Sequence, residues 1–304
     1  MMKTPRHIFS AQHPTSEGFI VVVVLWLLGA LSVLASIYSV YVVNSAAAFA
    51  VQDEQLRGEA LVSAALELTA YKHLAEKTHP TSGQFSFHFG QANIAVKFRS
   101  ETARIDLNAA PKQLLAGLFR ALGARPEDAD TYGERIVAWR TVHADAQDSE
   151  ASAYRLAGLG YQPRGAKFPH ANELSLVRDI PTSLAGRALK FVTVYSGRPQ
   201  VNILDAPAEV IAALPGMSSD RVNAFLVQRD ASSQDAKSLL PAEAQQFATA
   251  EGGKAIRVLT RIVFDNDRQQ SAETVILITE DGERPFAILS WRDDFAGILA
   301  DNQQ

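Results

Sequence analysis

Histidine is the side chain best suited to acid–base or metal chemistry near neutral pH, and the seven in this chain are spaced for neither. His7, His13, His73, His79, His88, His143 and His170 are dispersed, and none stands in a His-Glu-x-x-His pattern. Cysteine is absent, which removes thiol nucleophiles, zinc–thiolate sites and disulfides together. No Gly-x-Ser-x-Gly sets a serine on a strand-to-helix elbow. Gly158-Leu159-Gly160 lacks the strand and helix flanks of a dinucleotide loop and reads as a turn. Oxygen-rich stretches occur at Asp265-Asn266-Asp267, Asp281-Gly282-Glu283 and Asp293-Asp294. Calcium takes six to eight such oxygens from flexible loops, but none of the three follows an EF-hand pattern, so no metal ligand is assigned. No catalytic residue is assigned either, and an enzyme is the class this sequence supports least.

One pattern recurs. RIDLNAAPKQLLAGL at 104–118 and QVNILDAPAEVIAAL at 200–214 each run from a short extended segment to Asn or Asp, then Ala-Pro, then an apolar-periodic helix. Asn108 or Asp205 is expected to cap a helix whose first turn Pro111 or Pro207 opens with a preset φ. The second copy continues into ALPGMSSDRVNAFL, which resembles a helix-hairpin-helix element of the kind that holds phosphates on backbone N–H groups. Here the hairpin reads Pro215-Gly216-Met217-Ser218 without a second glycine, and Asp220 stands where a basic residue would help. The chain carries 29 basic and 33 acidic residues, net −4, a field from which phosphate backbones gain nothing. A structural helical hairpin is the expectation.

These segments must be positioned by larger elements. Phe19 to Val43 contains no charged residue, His, Asn, Gln or Pro, and as a helix it would extend roughly 37 Å, enough to cross a bilayer with some tilt. It is longer than the apolar core of a cleaved secretory signal, so it is expected to be retained. Lys3 and Arg6 precede it and Asp53 and Glu54 are the first charges after it, which puts the N-terminus in the cytoplasm and the bulk of the chain on the far side. Helical periodicity continues through Leu61, Ala64, Ala65, Leu68, Tyr71 and Ala75 until His79-Pro80-Thr81-Ser82-Gly83 ends it, giving one helix from Phe19 to about Lys77 with an apolar stripe for a partner surface. QFSFHFG and NIAVKF alternate as a hairpin; AIRVLTRIVF, ETVILIT and RPFAILSW read as later strands. Between them lie helical patterns at PKQLLAGLFRAL, DADTYGERIVAWRTV and TSLAGRALKF.

Four segments in order, EGFIVVVVLW, ARIDLNAAPKQLLAGLFRALG, ELSLVRDIP and FVTVYSGRPQVNILDAPAEVIAALPGMS, resemble the minor pseudopilin K family of bacterial type II secretion, also called general secretion pathway protein K. The resemblance implies an α+β, pilin-like fold: a long N-terminal helix, transmembrane in its first half, on an antiparallel sheet carrying a large inserted all-helical domain. It implies cleavage by prepilin peptidase between Gly18 and Phe19 and N-methylation of Phe19; a glycine there removes steric hindrance at the cleft. Val23 stands where most pilins carry a glutamate that pairs with the N-terminal amine of the subunit ahead. An unpaired carboxylate in hydrocarbon is costly, so its absence suits a subunit with none ahead, as is typical of the K type.

The expected division is a prepilin leader at 1–18, a transmembrane half-helix at 19–43, its periplasmic half at 44–79, a first part of the β domain at 83–106, the helical insertion at 107–190, the remaining α/β domain at 191–295 and a tail at 296–304. The implied function is the tip of the pseudopilus, initiating or capping its assembly for export of folded proteins. Implied partners are minor pseudopilins of the I, J and H types, the major pseudopilin, prepilin peptidase and the inner-membrane platform, with no nucleic acid. No cofactor is required by this reading; calcium is the one ion it admits, since pseudopilins include calcium binders. Two other readings share features with it: a minor pilin priming or tipping a type IV pilus, and a membrane-anchored helix-hairpin-helix DNA-binding protein.

Overall fold

The computed structural model describes residues 17–76, 79–142, 149–231, 236–279 and 284–294. The first sixteen residues of the expected leader, His143, the Asp281-Gly282-Glu283 turn and the tail at 296–304 lie outside the described residues. The chain forms two compact units, Met1–Arg57 and Gly58–Gln304.

The first unit is helical. Helix α1 runs Glu17–Ala75, and its Phe19–Ser45 stretch has a mean hydropathy of 2.8 and a length of roughly 40 Å, enough for a single-pass membrane anchor. Phe19 and Trp26 are 73% and 77% exposed, as side chains facing lipid would be.

In the second unit the end of α1 lies on a five-stranded antiparallel sheet of order β1-β2-β7-β8-β9. Strands β1 (Ser82–Phe89) and β2 (Ala92–Ser100) form the expected hairpin, with Gly90 at φ +62° supplying the left-handed turn. Phe85 faces Val96 and Phe87 faces Ile94, so the alternation seen in both segments becomes one apolar face. Leu61, Val62, Ala65, Leu66 and Ala70 of α1 close over it. The buried stripe is rotated from the expected one: Leu61 and Ala65 are inside, while Val62, Leu66 and Thr69 replace Tyr71 and Ala75, and Tyr71 is 69% exposed. Spacings of three and four fit either of two adjoining stripes, and the flat sheet accepts small and aliphatic side chains better than a tyrosine ring with a polar tip.

Strands β7 (Ala255–Phe264), β8 (Gln269–Ile278) and β9 (Phe286–Asp293) complete the sheet. Because β2 pairs directly with β7, with Ile94 opposite Ile262 and Phe98 opposite Val258, residues 101–254 leave and re-enter the sheet between neighbouring strands. The inserted material therefore extends well past the expected limits of 107–190. It contains, besides helices, two short parallel ladders: β3 (Ile105–Asp106) with β4 (Val192–Thr193), and β5 (Val201–Asn202) with β6 (Ala248–Thr249). The helices are α2 (Lys112–Ala121), α3 (Pro126–Arg140), α4 (Ser149–Leu156), α5 (Thr182–Ala188), α6 (Ala208–Ala212), α7 (Ser219–Ala231) and α8 (Ala242–Gln245). One core joins both ladders, with Leu114, Leu118, Ile136, Tyr154, Ile203 and Val210 fully or almost fully buried. Each such aliphatic side chain contributes about 1.5–3 kcal/mol on removal from water.

Candidate functional site

Glu17 and Gly18 stand in the first turn of α1, followed by Phe19, and Val23 follows about one turn later with 40% exposure. Phe19 and Val23 belong to the apolar span Phe19–Ser45 of this helix.

The repeated helix starts are built differently from expectation. Pro111 and Pro207 are the residues immediately before α2 and α6, and neither helix has a side-chain cap. Asn108 instead clasps a distant strand of chain: its Nδ2 donates to the Phe168 carbonyl (3.0 Å) and its Oδ1 accepts from the Phe168 N–H (2.7 Å). Asp205 accepts from the Ser82 hydroxyl (2.6 Å) and from Asn202 Nδ2 (2.9 Å). The side chains that turn the backbone are Asp106, whose Oδ1 accepts from the N–H groups of Asn108 (2.7 Å) and Ala109 (3.2 Å), and Asn202, whose Oδ1 accepts from Leu204 N–H (3.0 Å). Asp106 also receives Ser196 Oγ (3.0 Å) and Gly197 N–H (2.7 Å), tying the two ends of the first copy together.

Aligned on their prolines, the two copies agree in more than this turn. Ala110 N–H donates to Asp106 O (2.8 Å) and Ala206 N–H to Asn202 O (3.0 Å). Arg140, at the end of α3, donates to the carbonyls of Leu107 and Ala110; Arg229, near the end of α7, donates to those of Ile203 and Ala206, which are the equivalent positions. Each copy then closes through a proline-started helix and a parallel strand: Ile105 N–H donates to Phe191 O and Val201 N–H to Phe247 O, both at 2.9 Å. The insertion is thus a duplicated unit of strand, turn, helical hairpin, helix and strand. Only its opening strand, turn and first helix were evident as a sequence repeat. The two arginines stand at unequal distances from their prolines, which hides their equivalence.

The hairpin between α6 and α7 is spent on internal contacts. Gly216 has φ +74°, Arg221 Nη1 donates to its carbonyl (2.8 Å), and a Cβ placed on it would overlap the Glu243 carboxylate. A phosphate approaching that glycine would meet an acid, and Arg221 and Arg229 are both engaged with backbone oxygens.

The strongest electrostatic feature lies where the insertion leaves the sheet. Glu101 is 1% exposed and takes a bidentate pair from Arg257, Nε to Oε1 at 2.7 Å and Nη2 to Oε2 at 2.9 Å, together with the Thr193 hydroxyl. Arg257 also reaches Glu273, which Arg292 shares. Burial works against charge on both residues. It is outweighed at Arg257 by Glu101 and Glu273, which hold the guanidinium above its ordinary value, and at Glu273 by Arg257 and Arg292, which hold the carboxyl below the usual range. Removing one member would leave an uncompensated buried charge, a loss of about 3–5 kcal/mol. Sequence reasoning missed this network, because its members lie on five separated segments: the turn after β2, β4, β7, β8 and β9.

Among the described residues no group of three or more His, Asp and Glu is placed to hold a metal. Asn266 Oδ1 accepts from Arg268 N–H (3.2 Å) as an ordinary turn, and Asp293 Oδ2 accepts from Trp291 Nε1 (2.8 Å). Of the histidines, His73 and His79 are neighbours, with ring centroids 5.3 Å apart, and His88 contacts Asn93.

Residues 93–197 match the family model described as type II secretion system (T2SS), protein K. The fold is similar to that of a chain in the crystal structure of the GspK-GspI-GspJ complex from the enterotoxigenic Escherichia coli type 2 secretion system, with a TM-score of 0.58 and 18% identity over 80% of this chain and 98% of that one. No curated protein sequence matches the chain. The family match and the fold bear out the resemblance to the K-type minor pseudopilins.

Proposed function

We infer that this chain works as a K-type minor pseudopilin, assembling at the tip of a type II secretion pseudopilus that drives export of folded proteins. The observation that carries the reading is a protein K family match over residues 93–197 on a sheet whose adjacent strands β2 and β7 are separated by an insertion of residues 101–254. A single apolar helix at Phe19–Ser45 supplies the inner-membrane anchor, and Lys3 and Arg6 ahead of it against Asp53 and Glu54 behind it favour a cytoplasmic N-terminus and a periplasmic body. Prepilin peptidase cuts between Gly18 and Phe19, and Phe19 is then N-methylated. Val23 lets the subunit lead a filament without a buried unpaired carboxylate, and the bulky insertion blocks addition of another subunit above it.

The matched complex contains GspI and GspJ beside GspK. Siblings of the I and J types are accordingly the expected direct partners here, with the H type, the major pseudopilin and the inner-membrane platform beyond them. The role is structural and non-enzymatic. Calcium, if it acts, does so as a stabilising ion of acidic turns. The DNA-binding reading is disfavoured by Glu243 beside Gly216 and by the engagement of Arg221. The type IV pilus reading is disfavoured by the family match.

Affinity purification of the tagged full-length chain from its own membranes tests the assignment. I- and J-type pseudopilins should co-purify, and deletion of the gene should leave secreted proteins in the periplasm. Co-purification of type IV pilins instead, with secretion intact, would overturn it.

A further inference from the structure

The cleft beside the Glu101–Arg257 pair carries more positive charge than the chain itself neutralises. It has a volume of about 490 Å³ and is floored by strands β1, β2 and β7, with the turn after β2 and the segment around Phe191 as walls. Glu101 and Glu273 are both consumed, the first by Arg257 and the second by Arg257 and Arg292. Four further cations line the same cleft: Lys97, Arg99, Arg104 and Lys190. None of their side chains makes a hydrogen bond or ion pair with another described residue. Between them the lining side chains Phe191, Pro207 and Leu259 are apolar, Leu259 standing opposite Lys97 on the same face of the sheet.

Arg104 shows the strain of this arrangement most clearly. Burial first, and then the neighbouring Arg257, push its guanidinium down to about 10, with Glu101 and Glu273 offsetting only part of the effect. A half-buried guanidinium so placed gains from any carboxylate that enters the cleft, because the pairing offsets both its burial and its repulsion by Arg257.

We propose that this cleft is a docking site for an acidic peptide segment of a partner protein, its carboxylates paired with Lys97, Arg99, Arg104 and Lys190 and an apolar side chain seated on Phe191, Pro207 and Leu259. The apolar walls distinguish this occupant from a free small anion, which would gain nothing from them. A nucleic acid fits less well still, since the chain as a whole carries a net charge of −4. The proposal stands on the cleft alone and does not depend on the assembly role inferred above.

The test uses the full chain in detergent micelles with fluorescein-labelled EEFEE, SSFSS and EEGEE peptides, read by anisotropy. EEFEE should bind best, EEGEE more weakly and SSFSS least, and the affinity of EEFEE should fall as salt rises from about 50 mM to about 300 mM. Arg104→Gln should weaken EEFEE binding about tenfold or more. The double variant Lys97→Gln/Lys190→Gln, at two exposed positions where folding is not at stake, should do the same. Equal binding of EEFEE and SSFSS, or unchanged affinity in the lysine double variant, overturns the proposal. So does full displacement of EEFEE by an equimolar amount of inorganic phosphate, which would assign the cleft to a small anion.

Discussion

Gly117 of α2 and Ala213, the residue that caps α6, stand at the same offset from Pro111 and Pro207, and they touch: a Cβ added at Gly117 would lie 2.8 Å from the carbonyl carbon of Ala213 and would overlap its oxygen. Contact between equivalent positions is what an approximate two-fold axis between two copies of a unit produces. The duplicated halves of the insertion are therefore packed on one another through the only side chain small enough to let two backbones meet.

Gly117→Ala should be strongly destabilising, because the obstructing atoms are backbone and cannot rotate away. A loss of about 2–3 kcal/mol is expected from overpacking, read as a lowered denaturation midpoint of the purified chain. Gly186→Ala, at a helical position with open space around it, is the control and should be neutral or slightly stabilising. Equal midpoints for the two variants would contradict the close approach.

Arg140→Met and Arg229→Met should each cost about 2–4 kcal/mol, since each leaves two carbonyl oxygens at a turn without their charged donor. The costs should be similar in size if the two copies are equivalent, and the denaturation midpoint checks both. A variant at either position with wild-type stability would show that the carbonyls are satisfied by water.

Much of this architecture was readable from the residues, and the failures have physical causes. Phe85 and Phe87 against Ile94 and Val96 announced a hairpin because side-chain alternation is a local property. The insertion's far limit was not visible, because its closing strands, Val192–Thr193 and Ala248–Thr249, are two residues each and too short to show a period. Asn108 and Asp106 are both good turn residues two positions apart; which one turns the backbone is decided by Phe168, 60 residues away, which engages Asn108. Gly18 and Phe19 were proposed as processing positions from the resemblance alone, whereas the Arg104 cleft had no local signature at all.

Tyr154 is fully buried, and its hydroxyl accepts a hydrogen bond from Arg178 N–H (2.7 Å). Burial is the main cause that pushes its ionisation up to about 12. A raised folded-state value means that the stabilising contribution is complete below about pH 10, where an unfolded tyrosine titrates, and is lost as pH rises from there through about 12. Ultraviolet titration of the phenolates should show a late step near pH 12 that Tyr154→Phe removes, while Tyr132, which burial also pushes up, keeps its own delayed step. A titration curve left unchanged by Tyr154→Phe would contradict the burial.

Val23→Glu should leave secretion nearly unchanged when introduced alone, because a leading subunit draws nothing from a carboxylate at that depth. Assay of exported protein in the medium checks it. Complete loss of secretion would show that the position is packed against apolar neighbours that cannot tolerate the charge.

The account's central claim is that α1 is an assembly stem released from a short leader, and the mature N-terminus tests it most directly. Mass spectrometry of the native chain, taken from cells that possess prepilin peptidase, should find N-methylated Phe19 as the first residue. A chain still beginning at Met1 or Met2 in those cells would contradict the pseudopilin assignment.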